Sequence, residues 1–385
     1  MPVLNIRHCF SLEVLELECG SKYFSPDKRR ELTWFTTQIL RWSKGNSRTD
    51  LPWQQHPSPY RVWVSEIMLQ QTQVATVVNY FDRFIEQFPD VFALQRASQE
   101  EVLAAWHGLG YYRRALNLHR TADLIVRECS GKFPKTVSEL CSLPGIGRST
   151  ASSIVAAVWN EPATILDANV RRVLSRFHGV NGPDDTQITE LEMWKLAESH
   201  TSEKNARNYN QAIMDFGALW CKVSNPKCNE CPLGSNCVAY QTSQVSSFPA
   251  KKRSSPLQCK TIRPCVVFDQ RFDCLLRQRE SSGTYASMWD TLEVGNRVQP
   301  QAFLLQMNLP TDNVCLFDSV HTNRYQISNQ QVTEKLTVAK YNIPAKTLGT
   351  PWNTRWTPFQ SLKNVGLSVR TMQRIQLAKS LLETK

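Results

Sequence analysis

Four closely spaced cysteines, two isolated carboxylates and one glycine-bracketed turn are the parts of this 385-residue chain equipped for chemistry. Cys221, Cys228, Cys231 and Cys237 follow the order C-x6-C-x2-C-x5-C. Thiolates this close together can close around one tetrahedral ion or one cubic iron–sulfur cluster, and the spacing alone does not exclude zinc. Glu66 stands with Gln70 and Gln73 at i, i+4 and i+7, which reads as a polar stripe beside the apolar one on a single helix. A carboxylate on the edge of a core stripe is either a buried structural acid or a catalyst. Leu143-Pro144-Gly145-Ile146-Gly147 lies between two helical runs, Val137–Cys141 and Arg148–Trp159. Two glycines around one apolar residue allow a tight turn, and its open N–H groups, beside the positive end of the next helix, can hold a phosphate oxygen. The same residues also suit an ordinary αα-hairpin corner. Further on, Asp167 stands just ahead of a helix marked by Val170, Leu174 and Phe177, where an N-cap role suffices by itself.

The elements that must carry these groups are helical from about Arg30 to Val223. Trp63, Ile67, Val74, Val78, Phe81 and Ile85 recur at helical spacing as one apolar stripe. Breaks fall at Phe88-Pro89-Asp90, Gly108-Leu109-Gly110, Gly131 to Pro134, Pro144-Gly145 and Asn181-Gly182-Pro183. An all-α, two-lobed domain follows. After Leu257 the character changes: Thr261 to Phe268, Cys274 to Arg277, Val314 to Val320 and Lys335 to Tyr341 predict short strands, and Leu362 to Leu382 a helix. The resulting layout is an N-terminal extension over 1–30, a helical domain over 31–220, the cysteine loop over 221–237, a linker over 238–258 and a smaller α+β domain over 259–385. Lys251-Lys252-Arg253 in the linker is a solvated basic run or part of a nuclear signal.

A formal net charge of +11 suits a polyanionic partner. Hydrophobic residues at 41% and charged residues at 21% give an ordinary globular balance. No apolar run approaches the ~20 residues that span a bilayer, so no membrane partner is expected. Eight further cysteines, at 9, 19, 129, 141, 259, 265, 274 and 315, show no pairing rhythm, and reduced thiols are the better reading. Glu13, Glu16 and Glu18 oppose a mitochondrial transit peptide over the first 30 residues.

Leu143 to Ala151 (LPGIGRSTA) followed by Asp167 resembles the helix–hairpin–helix and aspartate of the large DNA glycosylase superfamily, whose two helical lobes hold DNA between them. The cysteine order is similar to the 4Fe–4S loop of the endonuclease III and MutY glycosylases. Trp63 to Val74, with Leu51-Pro52-Trp53 and Gly108-Leu109-Gly110-Tyr111-Tyr112, looks like the MutY type, the adenine DNA glycosylases. The resemblance runs from about Leu51 to Cys237. It implies that Glu66 protonates the departing adenine, that Asp167 stabilises the sugar cation, and that Asn169 hydrogen-bonds one of these acids. It also implies that Gln70 fills the gap in the duplex and Tyr111 wedges beside the opposing base. Gly145, Gly147, Ser149, Lys222 and Lys227 are expected at the DNA backbone, and Cys221, Cys228, Cys231 and Cys237 on a structural 4Fe–4S cluster. Where endonuclease III-type enzymes carry an attacking lysine, this chain has Ser149, which implies a monofunctional enzyme.

The C-terminal domain of MutY proteins is Nudix-like and reads 8-oxoguanine opposite adenine. Residues 257 to 385 lack the glutamate-rich Nudix box, and the family's His-x-Phe-Ser-His loop is replaced after His321-Thr322 by Asn323-Arg324-Tyr325-Gln326-Ile327-Ser328. His321, Thr322 and Ser328 are the residues left to do that reading, and Ala168 stands where the family has glycine. The resemblance implies a monomer acting on duplex DNA with adenine opposite 8-oxoguanine, nuclear (with a mitochondrial fraction) in a eukaryote and cytoplasmic otherwise. The rival readings are an endonuclease III-like glycosylase/lyase and a non-catalytic DNA-damage binder.

Overall fold

The computed structural model describes residues 26–55, 57–180, 187–250, 256–283, 285–327 and 329–384. The expectations for residues 1–25, the Asn181-Gly182-Pro183 break, Lys251-Lys252-Arg253 and Ser328 lie outside the described residues. The chain divides into two compact units, residues 1–49 with 148–252 and residues 50–147 with 253–385.

The helical stretch runs through α1 (Pro26–Asn46), α2 (Pro59–Leu69), α3 (Val74–Gln87), α4 (Val91–Arg96), α5 (Gln99–Ala105), α6 (Arg113–Cys129), α7 (Val137–Cys141), α8 (Arg148–Trp159), α9 (Ala168–His178), α10 (Gln187–His200) and α11 (Ala206–Asp215). Local signals set many of the starts. Ser58 caps α2 with Pro59 in its first turn, and Ser98–Glu101 and Thr136–Glu139 form reciprocal capping boxes on α5 and α7.

The single stripe read from Trp63 to Ile85 is divided between two helices. Gln70 ends α2 and Gln73 precedes α3, so Glu66, Gln70 and Gln73 do not share one helix. Gln71 between them is left-handed, at φ 56°. On α3 the buried face is Val77, Phe81 and Phe84 rather than Val74, Val78 and Ile85.

In the first unit the core gathers Phe35 and Ile39 of α1, Val173 and Phe177 of α9, and Ile213 and Phe216, with Cys221, Cys231 and Cys237 packed against it. Asp215 is fully buried and is met by the Arg48 guanidinium and backbone N–H. A π-helical turn, Phe216–Trp220, leads into Cys221, and α12 (Val238–Gln241) follows Cys237. The stretch read as a linker therefore begins in a helix, and further along its Phe248 is buried.

The second unit combines α2 to α7, packed around Trp63, Phe81, Phe84 and Trp106, with a mixed sheet. Its strands are β1 (Gln258–Ile262), β2 (Pro264–Phe268), β3 (Cys274–Gln278), β4 (Trp289–Asp290), β5 (Leu292–Glu293), β6 (Val314–Ile327), β7 (Gln330–Tyr341) and β8 (Thr354–Thr357), with α13 (Pro300–Gln306), α14 (Ala345–Leu348) and α15 (Val369–Glu383). The order is β1-β7-β2-β3-β4, with β5 on β2, β6 on β7 and β8 on β3. Every residue of β2 is buried, because Cys265 and Val267 face the α13 side while Val266 and Phe268 face the α15 side. The run expected as one strand from Thr261 to Phe268 is interrupted at Arg263, and β6 extends well past Val320. The helix expected from Leu362 is a short 3-10 turn, Phe359–Asn364, followed by α15 from Val369.

Within this unit the sheet portion is fastened to the helices. Arg355 pairs with Glu100, His107 Nδ1 lies 2.9 Å from the Leu367 carbonyl oxygen, and Gly366 sits against Leu103.

Candidate active site and cysteine loop

Asp167 is the N-cap of α9 and both of its carboxylate oxygens are engaged. Oδ1 accepts the Val170 N–H at 2.7 Å and Oδ2 accepts the Asn169 amide at 3.0 Å. Burial is the strongest influence on this carboxyl and raises its pKa; the Val170 N–H, the Asn169 amide and Arg172 oppose the rise without cancelling it. Desolvation thus outweighs the cap in setting the direction of the shift. Ser149 sits next door, in the first turn of α8, where its Oγ accepts the Leu166 N–H at 3.1 Å. It fixes the residue preceding Asp167.

Arg172 carries the network onward. Its guanidinium donates to Asn169 Oδ1 at 3.0 Å, to the Gly217 carbonyl at 2.6 Å and to the Cys221 carbonyl at 2.8 Å. Gly217 has to be glycine here, since a Cβ would lie 2.7 Å from the Asn169 Cβ and 2.9 Å from its carbonyl oxygen. One turn later Arg176 donates to the Lys222 carbonyl at 2.7 Å and the Phe248 carbonyl at 3.1 Å, and reaches Cys221 Sγ at 3.4 Å. Two buried arginines on one face of α9 thus hold the start of the cysteine loop.

Cys221, Cys228, Cys231 and Cys237 are all free thiols. Burial first, and then the neighbouring thiols, push Cys231 up to about 12 and raise Cys228 and Cys237. The four sulfurs therefore feel one another. Among the described residues no three ligating side chains converge tightly enough to hold a single ion. Four cysteine thiols are the kind of donor set an iron–sulfur cluster takes. Lys222 is exposed, and Lys227 lies over the Trp220 ring, 4.4 Å from its centroid.

In the other unit Glu66 is half-buried on α2, one turn ahead of Gln70. Gln70 is the helix C-cap and its amide donates to the Gly145 carbonyl at 3.3 Å, which joins the helix end to the hairpin. Gly145 takes φ +81° with Asn117 within 2.9 Å of where a Cβ would stand, so this turn requires glycine. Gly147 has neither constraint: its φ is ordinary and the space beside it is open. Tyr111 is left-handed at φ 47° and 61% exposed. Leu51 and Trp53 are buried, the latter against Phe81.

The residue that unites this part escaped the sequence reading. Arg114, buried on α6, donates to the carbonyls of Ile67, Met68 and Gln70 at 2.7–2.8 Å, to Thr72 Oγ1 at 3.0 Å, and to the carbonyls of Leu109 and Gly110. Its guanidinium also lies 5.6 Å from the Tyr111 ring centroid. Burial pulls its pKa down to about 10, still charged at neutral pH. An arginine in register with the apolar residues Leu118 and Ile125 of α6 is the signal that marks it. His321 and Thr322, expected as readers, are exposed on β6.

Residues 64–199 match the HhH-GPD superfamily of base excision DNA repair proteins, which is the class that this helical fold and hairpin define. The chain is 43% identical over 219 residues to the adenine DNA glycosylase of Buchnera aphidicola subsp. Schizaphis graminum, a match spanning 57% of this chain and 63% of that relative's length. It is 30% identical over 399 residues to the adenine DNA glycosylase of Mus musculus, spanning 88% of this chain and 76% of the relative. The solved structure of a thermostable thymine-DNA glycosylase superposes with a TM-score of 0.51 at 26% identity, over 56% of this chain and 98% of that one. The chain belongs to the adenine DNA glycosylase family.

Two expectations follow from this geometry. Arg114→Lys leaves several buried carbonyls without a donor and should cost about 2 kcal/mol or more, read as a lower denaturation midpoint together with weaker duplex binding. An unchanged midpoint would show that the carbonyls find other donors. Asn169→Ala removes a hydrogen bond that lowers the Asp167 pKa, so that pKa should rise further. With Asp167 read as acting in its anionic form, the acid limb of the single-turnover rate should move to higher pH; an unmoved limb would separate Asp167 from catalysis.

Proposed function

We propose that this protein is a monofunctional adenine DNA glycosylase that hydrolyses the N-glycosidic bond of adenine facing 8-oxoguanine or guanine in duplex DNA. The observation that carries the reading is Asp167, a half-buried carboxylate held by fixed N–H donors at the start of a helix. Such a group is aimed by bonds that do not rearrange during the reaction, as stabilisation of a developing charge requires. Glu66, half-buried, donates a proton to a ring nitrogen of the extruded adenine. The bond from C1′ to N9 then breaks with its electron pair leaving on the base, and Asp167 faces the oxocarbenium-like sugar. Water adds at C1′ and gives up a proton, leaving free adenine and an abasic site. Ser149 supplies no amine to attack the sugar, and its Oγ is committed to the Leu166 N–H. The strand is therefore left intact.

Gln70 and Tyr111, set by Arg114, occupy the gap and flank the opposing base. Gly145, Gly147, Lys222 and Lys227 meet the phosphates. Cys221, Cys228, Cys231 and Cys237 would hold a 4Fe–4S cluster, which with four cysteine ligands supplies a structural cross-link and no open iron position. The mixed sheet is the Nudix-like part, without the glutamates of a pyrophosphatase. The same reading makes the protein a monomer, nuclear (with a mitochondrial fraction) in a eukaryotic source and cytoplasmic otherwise.

In single-turnover assays with adenine opposite 8-oxoguanine, Glu66→Gln and Asp167→Asn should each slow release by roughly a hundredfold to ten-thousandfold while duplex binding persists. Near-normal rates in either variant would remove its role. The purified protein should be yellow-brown with iron and acid-labile sulfide in equal amounts; a colourless protein holding zinc would refute the cluster.

A further inference from the structure

Beside the exposed Tyr111 lies a patch that neither His321 nor Thr322 belongs to. The ring of Tyr112 packs edge-on against Tyr285, in the loop between β3 and β4, with centroids 6.1 Å apart. The Tyr112 hydroxyl accepts the Gly108 N–H at 3.4 Å and also meets the backbone of Val369, the first residue of α15. The wedge loop, the Tyr285 loop and the start of α15 therefore meet at one place in the unit.

Tyr285 is half-exposed and left-handed at φ 60°. Its surroundings act on it through burial and through the charges of Arg374, Asp290, Arg370 and Arg279, with no hydrogen bond to its hydroxyl among the described residues. Burial raises the phenol's pKa, so the hydroxyl keeps its proton and offers both a donor and an acceptor. Two of the neighbouring arginines are committed: Arg279 and Arg374 both pair with Asp290, and Arg374 also pairs with Glu334. Arg370 is different. Its guanidinium lies over the Tyr325 ring at 4.1 Å and has no carboxylate partner among the described residues. Along β6, His321 and Thr322 stand roughly 13 and 10 Å behind Tyr325, and Thr322 points to the opposite face.

We propose that Tyr285 and Arg370 form the subsite for the strand facing the extruded base, Tyr285 hydrogen-bonding the edge of the opposing purine and Arg370 holding a phosphate of that strand. This rests on the reading of Tyr111 as the wedge. Guanine offers an acceptor at N7, to which a phenol can donate. 8-Oxoguanine offers an N–H at N7 and a carbonyl at C8, so the same hydroxyl can accept from one and donate to the other. The oxidised base gains one more hydrogen bond with this group, about a tenfold preference.

The test uses the full chain and duplexes carrying a non-cleavable adenine analogue opposite 8-oxoguanine or guanine. Tyr285→Phe keeps the ring against Tyr112 and should lower the affinity ratio between the two duplexes about tenfold. Arg370→Gln should weaken both duplexes alike and reduce the salt slope by about one. An unchanged ratio in Tyr285→Phe would overturn the subsite, as would a ratio lost only in His321→Ala/Thr322→Ala. Adenine release is measured separately on cleavable duplexes. A wild-type chain that discriminates but releases no adenine would sink the glycosylase reading alone; one that releases adenine yet binds both duplexes equally would sink the subsite alone.

Discussion

The end of α2 and the Gly108–Tyr112 turn depend on one buried guanidinium. A helix ends with carbonyls that have no intrahelical donor, and α2 ends where Gln70 must project and the chain must turn at once into α3. The carbonyls of Ile67, Met68 and Leu109 are buried away from water. Arg114 serves them, taking the carbonyls of Ile67, Met68 and Gln70 on one side and those of Leu109 and Gly110 on the other. A cation at this end of a helix also meets the negative end of its dipole. The consequence is geometric: Gln70 and Tyr111, which are far apart in sequence, are set by the same planar group.

The other unit repeats the device on α9. Arg172 and Arg176 spend their donors on carbonyls of the π-helical turn and the cysteine loop rather than on carboxylates. A lysine would present one compact charge, whereas the guanidinium fork can hold several backbone oxygens in fixed directions. Through Asn169 the same fork touches the partner of Asp167. Any shift of the loop that moved the Cys221 carbonyl would thus be felt through Arg172 and Asn169 at the Asp167 carboxylate.

What was legible in the sequence was local. The LPGIG turn and the cap at Asp167 lie within a few residues of their partners, so spacing alone announced them, while the Asn169 contact came from the family resemblance. The split of the Trp63–Ile85 stripe was not legible, because apolar spacing continues across the break and the cause of the break, Arg114, lies 44 residues beyond Gln70. Nor was the commitment of Ser149 to Leu166, which a motif comparison records only as a missing lysine. Nor was it legible which residues of β6 come near α15. His321 and Thr322 were singled out by their likeness to a family loop, whereas which strand residues reach α15 is decided by the β6–β7 register and the bulge between Phe317 and His321.

On the proposed reading, a domain with an altered loop addresses the opposing base from a sheet that is held firmly to the helices. The sheet portion is fixed to the helices by Arg355–Glu100, by His107 on the Leu367 carbonyl and by the close approach of Gly366 to Leu103. A glycine against a core leucine tolerates almost no sliding, because the smallest added side chain would collide with it. The Tyr111 turn is then gripped from beneath by Arg114 and from the side by Tyr285 and Val369. Tyr285 on the β3–β4 loop thereby packs against the residue that follows Tyr111. On the proposed reading, selection among opposing bases passes from one loop of the sheet to another without loosening the Tyr111 turn, because the new loop bears on the neighbouring Tyr112.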